Sequence, residues 1–420
     1  MFYGEREDLF VAGNKFVDAP PPGATVIDAD GLIGLPGLVD PHCHLREPAG
    51  DVDPAETLAS GTAAAARGGY TAVAAMPNTT PACDSHAQVL SLLRRAKVVN
   101  VSARVVPIGA VTQGRDGMSL ADMPGMYDAG VRLFSDDGAA VASLDLLRFA
   151  VLTLGYQGTI ADHCQSATLA GPHAWWPDCL DDDEPPAEEV WPQSAETSIV
   201  MRDVQVASDT GNAIHLCHIS CAESVDVIRW AKQHHIKVSA EVTPHHLLLT
   251  SDKVSGGDPR FKVNPPLRSA EDVEALRAGL VDGTIDMIAT DHAPHLASAK
   301  NRPIAEAAPG MTGLEQALAV VIETMVNPGR LTWLEVAWLM SFTPARLLLR
   351  LRNQARALGP KMPANLVLVD PSRRHMVRAD DTASLSRNNP YDGMDLPDPV
   401  VLTMYAGKIT YENGIDERTA

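Results

Sequence analysis

From residue 35 to about 295, short apolar runs rich in β-branched residues alternate with Ala- and Leu-rich stretches of helical period. The runs at 35–45, 70–76, 99–107, 131–135, 158–163, 213–219, 237–242 and 286–289 predict strands. Between them, 55–67, 88–97, 144–154, 195–210, 222–235 and 270–280 predict helices. Strands buried on both faces read as near-continuous apolar runs, which fits a parallel sheet covered by helices. Eight strands alternating with helices predict an α/β fold, a (β/α)₈ TIM-type barrel. An open doubly wound sheet would need a glycine-rich nucleotide fingerprint, and the sequence has none.

The two ends depart from this alternation. Residues 1–34 are turn-rich and finish in VIDADGLIG. Helical patterns at 313–326, 332–340 and 343–351, with Met and Leu stripes that read as core, give way to ANLVLVD, HMVRA and VLTMYAGKITYENG. Both ends together predict a small β-sandwich beside the barrel, dividing the chain into 1–34, 35–354 and 355–420. CLDDDEPPAEE, at 179–189, reads as a solvated loop.

Composition narrows the function classes. Across 420 residues, 45% hydrophobic and 21% charged residues exclude wholesale disorder. Lys and Arg number 34 against 53 Asp and Glu, and the net charge of −19 argues against nucleic acid and anionic membrane as partners. Six cysteines without a CxxC spacing argue against a disulfide scaffold or zinc ribbon and point to a reducing cytosol. MFYGEREDLF lacks a signal core, and no apolar run is long enough to span a membrane. A soluble cytoplasmic protein is expected. Lysine is scarce, and none occurs between Lys97 and Lys232.

Candidate chemistry collects at strand ends. In DPHCH, His42 and His44 share one face of the first strand, although a lone HxH is a weak signal. His163 ends the fifth strand, His218 the sixth and Asp291 the eighth. A barrel delivers its C-terminal strand residues to the catalytic face, so these residues form an N/O set suited to Zn²⁺ or a similar divalent ion. Singly, each has a plainer reading. His163 or His218 would be a core histidine, Arg46 a structural ion pair, and Asp136 and Asp137 a turn before Gly138. His245 and His246 lie past a proline in an expected loop and are not read as ligands. Cys217 and Cys221 are read as packing.

The segments GLPGLVDPHCHLREPAG, AMPNTTP, FSDDG, HLCHIS, EVTPHHLLLT, FKVNPPLR, DGTIDMIATDHAPH and APGMTGLEQAL resemble, in order and over nearly the whole chain, the type I dihydroorotases of the amidohydrolase superfamily. The resemblance implies a metal-dependent enzyme interconverting N-carbamoyl-L-aspartate and L-dihydroorotate in pyrimidine synthesis. It implies that His42, His44 and Asp291 hold a first metal and that His163 and His218 hold a second where two are bound. Many amidohydrolases bridge two metals with a carboxylated lysine on the fourth strand, and the lysine-free gap excludes that here. The resemblance puts an aspartate of FSDDG in its place, Asp137 in preference to Asp136. It further implies that Arg46, Asn78 and His295 contact the substrate carboxylate, that Asn264 and the 309–313 turn contact the ring, and that Asp291 is the catalytic proton acceptor. The 295–309 segment is expected to cover the site. Family likeness also suggests a homodimer and association with aspartate transcarbamoylase.

Four features depart from the family pattern. The usual first strand of the sandwich is lacking before MFYGERED. The acidic residue usual after the fifth-strand histidine is replaced in His163-Cys164-Gln165-Ser166. The 167–192 stretch is divergent, and REPAG carries an extra alanine. Other readings are a hydantoinase- or allantoinase-like enzyme, a ring-closing enzyme for another ureido acid, or a non-catalytic partner of aspartate transcarbamoylase.

Overall fold

The computed structural model describes residues 7–170, 191–348, 354–414 and 417–419. Among these, the apolar runs form β1 (Leu38–Cys43), β2 (Tyr70–Ala75), β3 (Arg104–Pro107), β4 (Leu133–Phe134), β5 (Thr159–Asp162), β6 (Ile214–Leu216), β7 (Val238–Val242) and β8 (Met287–Ile288). Pairing is parallel in two arcs, β1–β2–β3 and β4 to β8 in sequence order. Parallel bridges Gly109–Phe134 and Cys43–His292 join the arcs, and the closed ring is the expected TIM-type barrel.

Side chains alternate across the barrel wall. Val73 and Ala75 of β2 pack in the large cluster with the helices, whereas Ala72 and Ala74 join Val39, Ile108, Leu133, Ala161 and Cys217 in a separate one. That period of two fixes which residues reach the inside. The covering helices are α1 (Leu58–Arg67), α2 (His86–Val99), α3 (Met123–Asp128), α4 (Leu144–Leu154), α5 (Gln193–Thr210), α6 (Ala222–Gln233) and α7 (Ala270–Val281). Their starts follow local capping chemistry, with capping boxes at Thr57/Ser60 and Ser269/Asp272.

Two local expectations change. The run at 99–107 begins as helix: α2 extends through Val99 and stops at Asn100, which adopts φ 55°. Asn tolerates this left-handed cap, and Val98 is exposed outside the barrel wall. The patterns at 332–340 and 343–351 meet in one helical run, Trp333–Ala337, a π-turn at Trp338–Phe342, then Thr343–Leu347. A widened turn accommodates Pro344, which has no N–H to donate.

The ends meet as expected in antiparallel β-structure. Lys408–Glu412, Val400–Tyr405, Leu366–Val369 and Ile33–Pro36 form one sheet in that order. Thr25–Ile27 pairs with Glu417–Thr419, and Phe10–Ala12 forms a hairpin with Lys15–Val17, so the turn-rich N-terminal segment does contribute strands. Thr403 donates its hydroxyl to the Ala66 carbonyl at the end of α1 (2.7 Å), tying this sheet to the barrel. The 179–189 loop lies outside the described residues. No described helix is long and apolar enough to cross a membrane.

Candidate metal centre and active site

At the end of β1 the strand period turns Asp40, His42 and His44 to one side. Asp40 lies deepest and accepts from the Thr290 amide (2.9 Å) and hydroxyl (2.6 Å), stitching β1 to the end of β8. Burial pushes its carboxyl up to about 7. Above it, His42 Nε2 lies 3.3 Å from Asp137 Oδ1 and 3.5 Å from Asp291 Oδ1. His44 Nε2 lies 2.9 Å from Asp291 Oδ1 and 3.4 Å from Asp137 Oδ2. From the opposite wall, His163 Nδ1 and His218 Nε2 stand 3.5 and 3.7 Å from Asp137 Oδ1. The structure therefore brings all six expected ligands together, every one of them buried.

The donor chemistry fits a divalent cation. His42 Nε2 and Asp137 Oδ1 are buried and no hydrogen bond satisfies either. Native proteins rarely leave such atoms unpaired without a ligand. The ligand atoms of His42, His44 and Asp291 lie within 4.8 Å of one another, as do those of His42, Asp137 and His218. Imidazole nitrogens and carboxylate oxygens at this spacing are a Zn²⁺-type set.

Neighbouring charges tune the cluster. Burial opposes ionisation of Asp137, but His42 and the neighbouring imidazoles of His163 and His218 hold its carboxyl well below the usual range. Burial also opposes protonation of His42; Asp137 and Glu241 outweigh it and raise that imidazole well above its usual value. His44 moves the other way, lowered by burial and by Arg46. Arg46, His218 and Asp291 have φ of 52°, 32° and 42°. Non-glycine residues adopt that region at a cost of roughly 1–3 kcal/mol, and such strain concentrates at functional sites.

The adjacent aspartates separate cleanly. Asp136 accepts from the Val111 amide (2.9 Å), the Thr112 amide (3.1 Å) and the Thr112 hydroxyl, so it builds the loop after β3. Asp137 alone of the two enters the cluster.

The expected substrate contacts divide into two groups. Arg46 and His295 lie on one rim. Arg46 Nε donates to the Pro294 carbonyl (3.2 Å), and His295 Nε2 donates to the Pro309 carbonyl (2.8 Å). Burial, with the charges of Arg46 and Lys300, pushes His295 down to about 3, so it is neutral at neutral pH. Gly310 is required beneath it, because a Cβ there would sit 2.6 Å from His295 Nε2. Asn78 and Asn264 instead touch histidines of the cluster: Asn78 Oδ1 accepts from His44 Nδ1 (2.9 Å), and the Asn264 amide lies 3.2 Å from His163 Nε2.

Several supporting residues escaped the sequence reading. Glu241 accepts from His42 Nδ1 (2.6 Å) and from His215 Nε2 (3.0 Å) and is lowered to about 2, by the charge of His42 and the His215 bond working against burial. The available signal was a carboxylate within the otherwise buried end of β7. Gln165, where an acid was expected, pairs reciprocally with Asn264 (2.9 and 3.0 Å). His245 and His246 are on a short helix, Pro244–Leu248, rather than in a loop. His246 bonds Thr243 and the Pro265 and Pro266 carbonyls, and neither histidine joins a metal-capable group among the described residues.

Comparison with known proteins agrees with this geometry. A dihydro-orotase-like family model matches residues 31–224, and an amidohydrolase family model matches 157–410. The chain is 47% identical to a dihydroorotase of Leifsonia xyli over 98% of its length and 94% of the relative's. It is 44% identical to one of Mycobacterium tuberculosis, over 98% and 96%. Among solved structures, the L-hydantoinase (dihydropyrimidinase) of Arthrobacter aurescens superposes with a TM-score of 0.82 at 25% identity, covering 96% of this chain and 92% of that one. The dihydropyrimidinase of Brevibacillus agri, at 20% identity and a TM-score of 0.82 over 96% and 91%, shares the fold. By its barrel and its relatives along nearly the whole chain, the chain belongs to the dihydroorotase family of the amidohydrolases.

Proposed function

We propose that this chain interconverts N-carbamoyl-L-aspartate and L-dihydroorotate, with the substrate carboxylate read beside a metal centre built on Asp137. The observation that carries this reading is Arg46. Its half-buried guanidinium stands at the rim of the ligand cluster, and no described carboxylate lies within ion-pair distance of it. A guanidinium pairs bidentately with a carboxylate, and a substrate carboxylate completes this one. His295 lies on the same rim, close enough to feel the Arg46 charge. A hydantoin without a carboxylate gives Arg46 no partner, which places the hydantoinase-like reading second.

His42, His44 and Asp291 would hold one ion and His163 and His218 a second, with Asp137 between them; Zn²⁺ suits the set. When bound, the ion lowers the pKa of a water toward neutrality and polarises the ring carbonyl. Asp291 takes the proton at its carboxylate as the ring opens and returns it to the leaving nitrogen. In ring closure the same carboxylate accepts a proton from the attacking carbamoyl nitrogen and gives it to the carboxyl oxygen, which leaves as water as the C–N bond forms. Asn264 and the 309–313 backbone hold the ring, while Asn78 and Glu241 keep the His44 and His42 rings in the ligating orientation. This reading takes 35–354 as the catalytic barrel between two halves of a β-sandwich. It also takes the enzyme as a cytoplasmic homodimer able to associate with aspartate transcarbamoylase.

The test is ring opening of L-dihydroorotate by the purified protein, with Asp291→Ala alongside. Turnover that Asp291→Ala abolishes supports the proposal. An inactive wild type, or a fully active variant, overturns it.

A further inference from the structure

The mechanism leaves two buried lysines unused, in a chain that has few. Lys262 and Lys300 are 1% and 3% exposed. Lys300 closes the short helix Ala297–Lys300, five residues after His295. Its ammonium donates to three backbone carbonyls, those of Lys262 (2.8 Å), Ala308 (3.0 Å) and Gly310 (2.8 Å). An ammonium has three donors and a neutral amine only two, so the charged form alone fills all three acceptors. No described carboxylate lies within ion-pair distance of Lys300; Asp258, whose charge reaches it, is held by Arg260. Burial and the Lys262 charge push this ammonium down to about 7, and the three carbonyl dipoles are what favour its protonated form.

The three carbonyls come from two parts of the wall, Lys262 from one and Ala308 and Gly310 from the other. Lys262 lies two residues before Asn264, and Gly310 is in the turn against which His295 rests. The Gly310 amide donates back to the Lys262 carbonyl (2.9 Å), and the Lys262 ammonium holds the Ile304 and Ala305 carbonyls (2.7 and 2.8 Å). Asn388 continues the chain of contacts. Its Nδ2 donates to the Ala293 and Gly310 carbonyls (2.9 and 3.1 Å), and its Oδ1 accepts from the His295 amide (3.3 Å). The segment expected to cover the site is therefore strapped to the barrel by side chains reaching backbone carbonyls.

We propose that Lys300, with Asn388, is a positioning residue that locks the His295 rim, the 309–311 turn and the Asn264 loop into one rigid substrate-binding wall. This rests on the reading of His295, Asn264 and the turn as substrate contacts. Lys300 touches no reacting atom, so its loss weakens substrate binding and leaves the chemical step intact.

The test uses the full-length metal-loaded enzyme, comparing wild type, Lys300→Met and Asn388→Ala for L-dihydroorotate kinetics, metal content and melting temperature. The expected result is a KM raised roughly 10- to 100-fold, the scale of a misplaced substrate, with kcat and metal content close to wild type. A folded, metal-loaded Lys300→Met with wild-type KM overturns the inference, as does a fall in kcat at unchanged KM. Should Lys300→Met not fold, Asn388→Ala decides in the same way. A wild type unable to turn over dihydroorotate brings down the underlying functional reading, and this inference with it.

Discussion

Nδ1 of His42 donates to the Glu241 carboxylate across 2.6 Å of buried protein. Glu241 is ionised and can only accept, so a His42 proton is fixed on Nδ1 and Nε2 is the nitrogen turned toward Asp137 and Asp291, the one a metal would take on displacing its proton. Glu241→Gln removes the charge and keeps the shape. It is expected to weaken metal binding roughly 10- to 100-fold, read by competition with a chelator. Unchanged metal affinity would remove Glu241 from the account.

Asp136 and Asp137 are adjacent and make opposite predictions. Asp137→Asn should lose bound metal and nearly all activity, because its oxygens are the ones among the imidazoles. Asp136→Asn should keep its metal and cost about 1 kcal/mol of stability, the usual scale of one altered hydrogen bond. Metal analysis of the two proteins separates the roles.

Acid should destabilise the fold through buried neutral imidazoles. Burial pushes His246 down to about 3, and it also lowers His245 and His295. An unfolded histidine titrates near ~6.5, so between there and about pH 3 these positions bind more protons in the unfolded chain than in the folded one. Stability therefore falls as pH falls through that window, approaching about 1.4 kcal/mol per pH unit for each such group. Melting temperatures measured across it should drop steadily, and His246→Gln should flatten the slope. A flat profile in the wild type would contradict the assignment.

How much of this could be read from the sequence followed physical rules. His42, His44, His163, His218 and Asp291 were legible because strand ends have a fixed side-chain period and a barrel collects them on one face. The lysine-free stretch likewise pointed to FSDDG. The preference for Asp137 over Asp136 came from the family resemblance, and its physical reason is the loop of Val111 and Thr112, which captures the other carboxylate. Glu241 was hidden by 199 residues of separation from His42. Lys300 was hidden more deeply, since its partners are carbonyl oxygens that every residue carries. Asn78 and Asn264 were placed in the right region, but their visible partners are His44 and His163.

The central claim is that Arg46 reads a substrate carboxylate beside the metal centre, and the specificity ratio tests it most directly. That measurement is kcat/KM for L-dihydroorotate relative to 5,6-dihydrouracil, which lacks the carboxylate, in wild type and Arg46→Met. A charge-assisted hydrogen bond is worth about 1.5–3 kcal/mol, so the variant should lose roughly 10- to 150-fold on dihydroorotate and little on dihydrouracil. A wild type that prefers the uncarboxylated ring, or a variant that keeps the wild-type ratio, would contradict the account.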